Sequence, residues 1–276
     1  MATLAGIALY PACRPRARLA QAAAWATAKV GGGFSLPWRS VEWTPPCGAE
    51  VFSELCAQWK TALGSFDAVA VFSRTQSSRP GLTAVLVRDR GPVGFVRVGQ
   101  GGRRTLEAEE RALSAVSNAA IRSFTVPGPL GVGSVAEWDW LATTALPGGL
   151  HQPARHPPIA EITVELQQAL AGALPDVERP PHWVPMHGDL APWNLRRIRG
   201  RRLALLDWQD ATWGPPHADA VYWAATTAAL RGTAPPPVAA GEAVDYWLAS
   251  VSTRSVTDAD ATLSRKLLGV LGMMKG

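Results

Sequence analysis

Two carboxylates and an amide stand at a spacing that can move a phosphoryl group. They lie in the run His187-Gly188-Asp189-Leu190-Ala191-Pro192-Trp193-Asn194 and in the later stretch Leu205-Leu206-Asp207-Trp208. A hydroxyl attacks a phosphoryl group readily only if its proton has an acceptor and the phosphate charge is neutralised. Asp189 is the candidate base. Asn194 and Asp207 form an all-oxygen donor pair, the kind that magnesium takes together with phosphate oxygens. His187 is placed with Asp189 in the catalytic set, its part being to orient the loop through a side-chain hydrogen bond. The bland alternative is a tight turn (Gly188, Pro192) before an ordinary strand whose final Asp caps a loop. An Asn five residues after the Asp, followed by an Asp closing an apolar run, favours the chemistry.

These groups need a scaffold, and the chain supplies a change of pattern near residue 150. Apolar residues at 51, 52, 55, 59, 62 and 63 predict a helix over Val51–Leu63, stopped by Gly64. Phe66–Phe72, Leu82–Arg88 and Val93–Val98 read as strands linked by turns, the sign of an antiparallel sheet. Thr105–Val116 reads as a helix, and Val126–Val132 and Trp138–Ala145 as two more strands. Beyond 150 the helices are Ile159–Leu174, Asp219–Leu230, Gly241–Val251 and Asp258–Met274. Leu195–Ile198 and Leu203–Leu206 form a hairpin around Gly200. Residues 1–50 are harder to read: Ala20–Ala28 has helical character, Gly31-Gly32-Gly33 breaks it, and Pro37, Pro45 and Pro46 point to an irregular stretch. The expected division is an extension over 1–65 packing on a small nucleotide-binding lobe, that lobe over 66–150, and a large catalytic and substrate-binding lobe over 151–276.

At H-G-D-x4-N and Leu206-Asp207-Trp208-Gln209-Asp210-Ala211, followed by Gly214-Pro215-Pro216 and Ala218-Asp219-Ala220, the chain resembles the aminoglycoside phosphotransferase and choline kinase-like family. The match is tight over residues 185 to 223 and follows motif order over roughly 65 to 225. The resemblance implies an α+β, bilobal protein-kinase-like fold, with a small antiparallel-sheet lobe and a larger, mostly helical one. It implies ATP and Mg2+ as cofactors, and Asp219 as a helix-borne brace of the catalytic loop. On the nucleotide side the family places a Lys on the third strand, paired with a Glu of the next helix. Here Arg97 holds that place, with Glu109 as partner and Glu110 as runner-up. Arg97 is then a working substitute, a surface residue of an alternating strand, or a mark of lost activity. The loop Ser73–Pro80 lacks the G-x-G-x-x-G of protein kinases, and Ser77 and Ser78 are its candidates for cradling phosphate. A polar hairpin loop without that task fits the same residues. The hinge near Leu141–Leu146, with Thr143, is where adenine would lie.

Composition narrows the class further. The 276 residues are 47% hydrophobic and 18% charged, a globular balance. The formal charge of +5 comes from the first half: residues 1–150 hold 15 Lys/Arg against 10 Asp/Glu, and residues 151–276 hold 12 against 12. An acceptor site for a polycation is therefore not announced by the second half. Cys13, Cys47 and Cys56 form no metal-ligand spacing and suit free thiols in a reducing compartment. No apolar run reaches the length of a membrane span. The Ala- and Arg-rich start, with Glu42 as first acid, is shared by transit peptides and by ordinary bacterial N-termini; the cytoplasm is the expected location. Arg196, Arg197, Arg199, Arg201 and Arg202 read as a solvated hairpin face or a binding surface for an acidic partner. Without interleaved aromatics they do not predict nucleic acid. No membrane partner is expected either. Of the twelve tryptophans, Trp193, between Asp189 and Asn194, stands closest to the chemistry.

The reading is a phosphotransferase acting on a hydroxyl of a small molecule: an antibiotic, a sugar or a natural-product intermediate. Two alternatives stay open. One is a non-catalytic kinase-like subunit that binds nucleotide or a peptide. The other is a kinase for Ser or Thr of a natural-product precursor peptide.

Overall fold

The computed structural model describes residues 2–9, 12–32, 43–73, 81–198, 202–237, 240–257 and 261–275. The chain divides into two compact units. The first holds residues 1–74, 79–110 and 127–152, the second 75–78, 111–126 and 153–276.

In the first unit, helices α1 (Ala2–Leu9), α2 (Pro15–Gly31) and α3 (Ala49–Leu63) precede a five-stranded sheet. Its strands are β1 (Ala68–Ser73), β2 (Gly81–Arg88), β3 (Gly91–Gln100), β4 (Pro129–Val135) and β5 (Trp138–Thr144), in the spatial order β1-β2-β3-β5-β4 and antiparallel throughout. Side chains alternate across a strand, so each strand divides its residues between two faces. Leu82, Ala84, Leu86, Val96, Val98, Trp138, Trp140 and Ala142 make one face, and Leu55 and Trp59 of α3 cover it. Gln58 pins that helix down: its Oε1 accepts from Trp140 Nε1 at 2.8 Å and its Nε2 donates to Ser134 O at 3.1 Å. Gly94 leaves room for this packing, since a Cβ there would lie 2.5 Å from Leu63 Cδ2. Arg97, between Val96 and Val98, belongs to the opposite face, where helix α4 (Arg103–Asn118) supplies its partner.

The α1 segment was not read as a helix from the sequence. It packs on β1 and β2, with Gly6 against the Phe72 ring. Helix α2 begins at Pro15, where a missing N–H costs nothing. Most of the stretch between it and α3, including Pro37, lies outside the described residues, as does most of the Ser73–Pro80 loop.

The second unit is mainly helical: α5 (Ile159–Leu170), α6 (Ala218–Arg231), α7 (Gly241–Thr257) and α8 (Ala261–Lys275). Small residues on α6 (Ala218, Ala225, Ala228, Ala229) let it pack closely on Val244, Trp247 and Val251 of α7 and Leu267, Val270 and Leu271 of α8. Full burial of side chains such as Leu271 stabilises by roughly 1.5–3 kcal/mol each. Two short strand pairs flank this core, Val184–Met186 with Thr212–Gly214 and Leu195–Arg197 with Leu203–Leu205. Helix α5 stops four residues short of the sequence expectation because a turn intervenes before Pro175, and α7 runs six residues past its expected end. Among the described residues no helix is long and apolar enough to cross a membrane.

Candidate active site

The hairpin sets the spacing of the catalytic residues. Leu195 pairs with Leu205, and Leu206 N donates to Asn194 O at 3.1 Å. Asn194 thus sits directly across from the residue before Asp207. Asp207 itself adopts φ +62°, a left-handed turn that Asp tolerates better than bulky residues do.

The loop before Asn194 is braced from three sides. Asp219, at the start of α6, accepts from His187 N at 2.8 Å and Gly188 N at 3.1 Å. Burial pushes the Asp219 carboxyl up to about 6, against the pull of those two N–H groups. His187 is fully buried, bonds Leu206 O through Nε2 at 3.0 Å and accepts Asp189 N at Nδ1 at 3.2 Å. That pattern assigns the neutral tautomer with its proton on Nε2. Burial lowers its pKa to about 4, which keeps it neutral. Both ring nitrogens are engaged, Nε2 with Leu206 O and Nδ1 with Asp189 N, which matches the orienting part expected of His187. Gly188 is required: it has φ +77°, and a Cβ would lie 2.0 Å from Asp210 O.

Asp189 is only partly buried, unlike its neighbours. Its Oδ2 receives Asn194 Nδ2 at 2.7 Å and Trp193 Nε1 at 3.3 Å, and Tyr222 lies close to the same carboxyl. Desolvation, then the charges of Asp207 and Asp210, raise the Asp189 pKa to about 7; Arg254 of α7 opposes them. Tyr222 stacks on Trp247 with ring centroids 4.1 Å apart, which fixes the phenol beneath the carboxyl. Burial raises the Tyr222 pKa well above 10, so it remains a donor. Trp193, singled out by its position, is a hydrogen-bond donor to the candidate base. Tyr222, Asp210 and Arg254 were not foreseen as parts of the site. Asp210 lies within the quoted Asp207–Ala211 segment and could have been weighed; nothing local marks Tyr222 or Arg254.

A base of this kind predicts its own pH dependence. The ionised form does the work, so kcat/KM for the acceptor should fall about tenfold per unit at pH values below the Asp189 pKa and level off above it. Asp210→Asn removes a like charge and should move this acid limb to lower pH. A pH–rate profile measures both, and an unmoved or upward-moved limb in Asp210→Asn counts against Asp189 as the titrating base.

The magnesium donors also fit. Asn194 gives its amide nitrogen to Asp189, at Oδ2 and at the backbone oxygen (3.0 Å), which leaves its oxygen for a cation. Asp207 adds a carboxylate. Among the described residues no group of three or more His, Cys, Asp or Glu is arranged to hold a metal. One amide and one carboxylate is instead what magnesium accepts when phosphates and water complete its shell.

The nucleotide-side candidates lie in the other unit. Arg97 and Glu109 are both 6% exposed and form an ion pair. Glu109, not Glu110, is the partner. Thr143 is buried on β5 opposite Phe95, and Leu141 lies opposite Arg97, so Thr143 shares the sheet face of Arg97. Ser77 and Ser78 lie outside the described residues.

Residues 149–250 match the family described as "Phosphotransferase enzyme family". No curated protein matches the chain at the sequence level. Solved structures that share its fold include three phosphotransferases. Spectinomycin phosphotransferase, solved with ADP and spectinomycin, is 8% identical, with a TM-score of 0.51 over 80% of this chain and 97% of its own. Macrolide 2′-phosphotransferase of Brachybacterium faecium is 16% identical, with a TM-score of 0.50 over 80% and 98%. Aminoglycoside 2′-phosphotransferase-IIIa, solved with GDP, is 13% identical, with a TM-score of 0.52 over 82% and 98%. Residues 149–250 thus carry the pattern of the phosphotransferase enzyme family, and about four-fifths of the chain shares the fold of solved aminoglycoside and macrolide phosphotransferases.

Proposed function

We propose that the protein is an ATP- and magnesium-dependent phosphotransferase that transfers the γ-phosphoryl group to a hydroxyl of a small molecule. The observation that carries this is the clustering of Asp189, Asn194 and Asp207 around one hairpin, with Asp219 and His187 holding the loop. Relatives solved with ADP or GDP, and with spectinomycin or kanamycin, support a nucleotide donor and a small-molecule acceptor.

In the proposed step the acceptor O–H bond breaks as its oxygen bonds phosphorus. The bond from phosphorus to the leaving ADP oxygen breaks, and the proton passes to Asp189. Trp193 and Asn194 hold that carboxylate in position. Magnesium, when bound by Asn194 and Asp207, would offset the charge of the phosphates. Arg97 would meet the nucleotide phosphates while Glu109 holds its side chain, with Ser77, Ser78 and Thr143 as further nucleotide contacts. The cytoplasm, where ATP is available, is the proposed location.

The test is binding of Mg·AMP-PNP to the purified protein, read as a thermal shift, followed by ADP release with a panel of alcohols. Nucleotide binding with no turnover on alcohols or on Ser/Thr peptides would favour a non-catalytic subunit. Turnover on peptides alone would make the acceptor a peptide.

The Arg97 pair yields a separable prediction. Arg97→Lys keeps a cation beside Glu109 and should leave the KM for ATP within a few-fold. Arg97→Ala strands a buried carboxylate, so stability should drop by roughly 3–5 kcal/mol. It should also weaken ATP about 10-fold or more, by losing a charge-assisted bond to phosphate. ATP titration of both variants, below the melting temperature of Arg97→Ala, checks this. Unchanged ATP affinity in Arg97→Ala would leave Arg97 a purely structural partner of Glu109.

A further inference from the structure

A turn brings Trp193 back to the candidate base. Ala191 O accepts both Asn194 N and Leu195 N at 3.0 Å. In a turn of this helical kind a side chain lies beside the one four residues earlier, and four residues before Trp193 stands Asp189. The rest of Trp193 is held in place. Its ring, half-buried, packs against the helical core. Its carbonyl accepts Arg196 Nε at 3.2 Å. Arg196 is 8% exposed, so it does not belong to the solvated face that the run of hairpin arginines suggests. The indole N–H is then left to donate to Asp189 Oδ2 at 3.3 Å.

A carboxylate oxygen carries two lone pairs. At Asp189 Oδ2 one meets Asn194 Nδ2 at 2.7 Å and the other Trp193 Nε1 at 3.3 Å. Oδ1 receives neither of these donors. The two oxygens of the base are therefore not equivalent. One is committed to the loop, and the other is left for an acceptor hydroxyl. A ring without an N–H would fill the same space against the core and leave Oδ2 half engaged. The carboxyl would then be freer to turn about its bond to Cβ and present either oxygen. Charge matters here as well. Burial, then the charges of Asp207 and Asp210, raise the Asp189 pKa; Arg254 and the Trp193 N–H oppose them, and the Tyr222 phenol lies close by. A hydrogen bond to the ionised form favours that form.

We propose that Trp193 is a positioning residue of the transfer: with Asn194 it fills Asp189 Oδ2 and so assigns the acceptor's proton to Oδ1. This rests on the phosphotransferase reading above and deepens it. In the step the acceptor O–H bond breaks as its oxygen bonds phosphorus, the bond from phosphorus to the ADP oxygen breaks, and the proton ends on Oδ1. Trp193 acts through Asp189 and needs no contact with the substrate.

The experiment compares the full chain with Trp193→Phe, which keeps a ring against the core and loses the N–H. ADP release from Mg·ATP is followed between about pH 5 and 9 with glycerol, glucose or kanamycin as acceptor, and with water alone. In the variant kcat should fall about 10-fold or more, as expected for losing a hydrogen bond to a charged group, with the KM for ATP unchanged. The ionised carboxylate loses a partner, so the acid limb should move to higher pH, opposite to the shift expected of Asp210→Asn. Part of the loss should persist above that limb, where Asp189 is fully ionised, because its orientation is still relaxed. A second measurement decides the matter should Trp193→Phe fail to fold. In isotope-labelled wild type the Trp193 indole N–H resonance should titrate with Asp189, and Asp189→Asn should abolish that titration for one indole alone. An unmoved acid limb in Trp193→Phe, or no indole whose titration is lost in Asp189→Asn, overturns the proposal. A wild type without turnover on any acceptor overturns the phosphotransferase reading and the proton assignment with it; turnover with an unmoved limb sinks the assignment alone.

Discussion

Asp189→Asn is expected to reduce phosphoryl transfer by about 100- to 10,000-fold, the range for losing one positioned proton acceptor. Nucleotide affinity should stay within a few-fold, because the proposed partner of Asp189 is the acceptor hydroxyl and not ATP. The substitution is nearly isosteric. Its remaining oxygen still accepts from Trp193 and Asn194, so the loop should keep its shape. The fold is not at risk on electrostatic grounds either: burial and two neighbouring carboxylates already oppose the Asp189 charge. Turnover by stopped assay and nucleotide binding by calorimetry separate the two effects. Undiminished turnover would remove Asp189 from the mechanism. Equal losses in turnover and nucleotide affinity would point to a collapsed loop instead.

Asp207→Ala is expected to weaken magnesium-dependent nucleotide binding by at least about 100-fold, and Asn194→Ala by less. A carboxylate offers the cation a full charge, whereas an amide offers only a dipole. The two should also differ in what else they disturb. Asn194→Ala removes the 2.7 Å donor to Asp189, so it should lower turnover even when magnesium is saturating. Asp207→Ala leaves that bond in place. Calorimetry of AMP-PNP with and without magnesium, for wild type and both variants, makes the comparison. A wild type that binds nucleotide equally well without magnesium contradicts the assignment of both ligands.

The site was legible where its geometry is local. His187, Asp189, Asn194 and Asp207 fall on one loop and one hairpin, so their distances follow from spacing and strand pairing. The choice among Glu107, Glu109 and Glu110 was also open to periodicity. Leu106, Glu109, Leu113 and Val116 lie on one helical stripe, and all four are buried. Tyr222 and Arg254 come from helices outside the loop and hairpin, and no local pattern tells which helix will dock beside a loop. The strands were legible by alternation, to within a few residues at their ends. The α1 segment escaped because Ala2–Leu9 is apolar almost throughout and gives no contrast between faces. The end of α7 was set too early because Ser252, Thr253, Ser255 and Thr257 are weak helix formers, and the docking of its buried flank outweighs them.

Asp219 has no route to water: it is 4% exposed and its two oxygens hold the amides of His187 and Gly188. The carbonyl next to it, Ala218 O, accepts Trp247 Nε1 at 2.7 Å, so α7 is tied into the same knot. The loop thus draws part of its order from the packing of α6 on α7. Evolution can then alter what the loop touches only along edges that leave this knot intact, such as the partly exposed side of Asp189. Change at the acceptor end is structurally cheap, and change beneath the loop is not. On the proposed function, one helical scaffold of this kind can serve many alcohols while its transfer chemistry stands still.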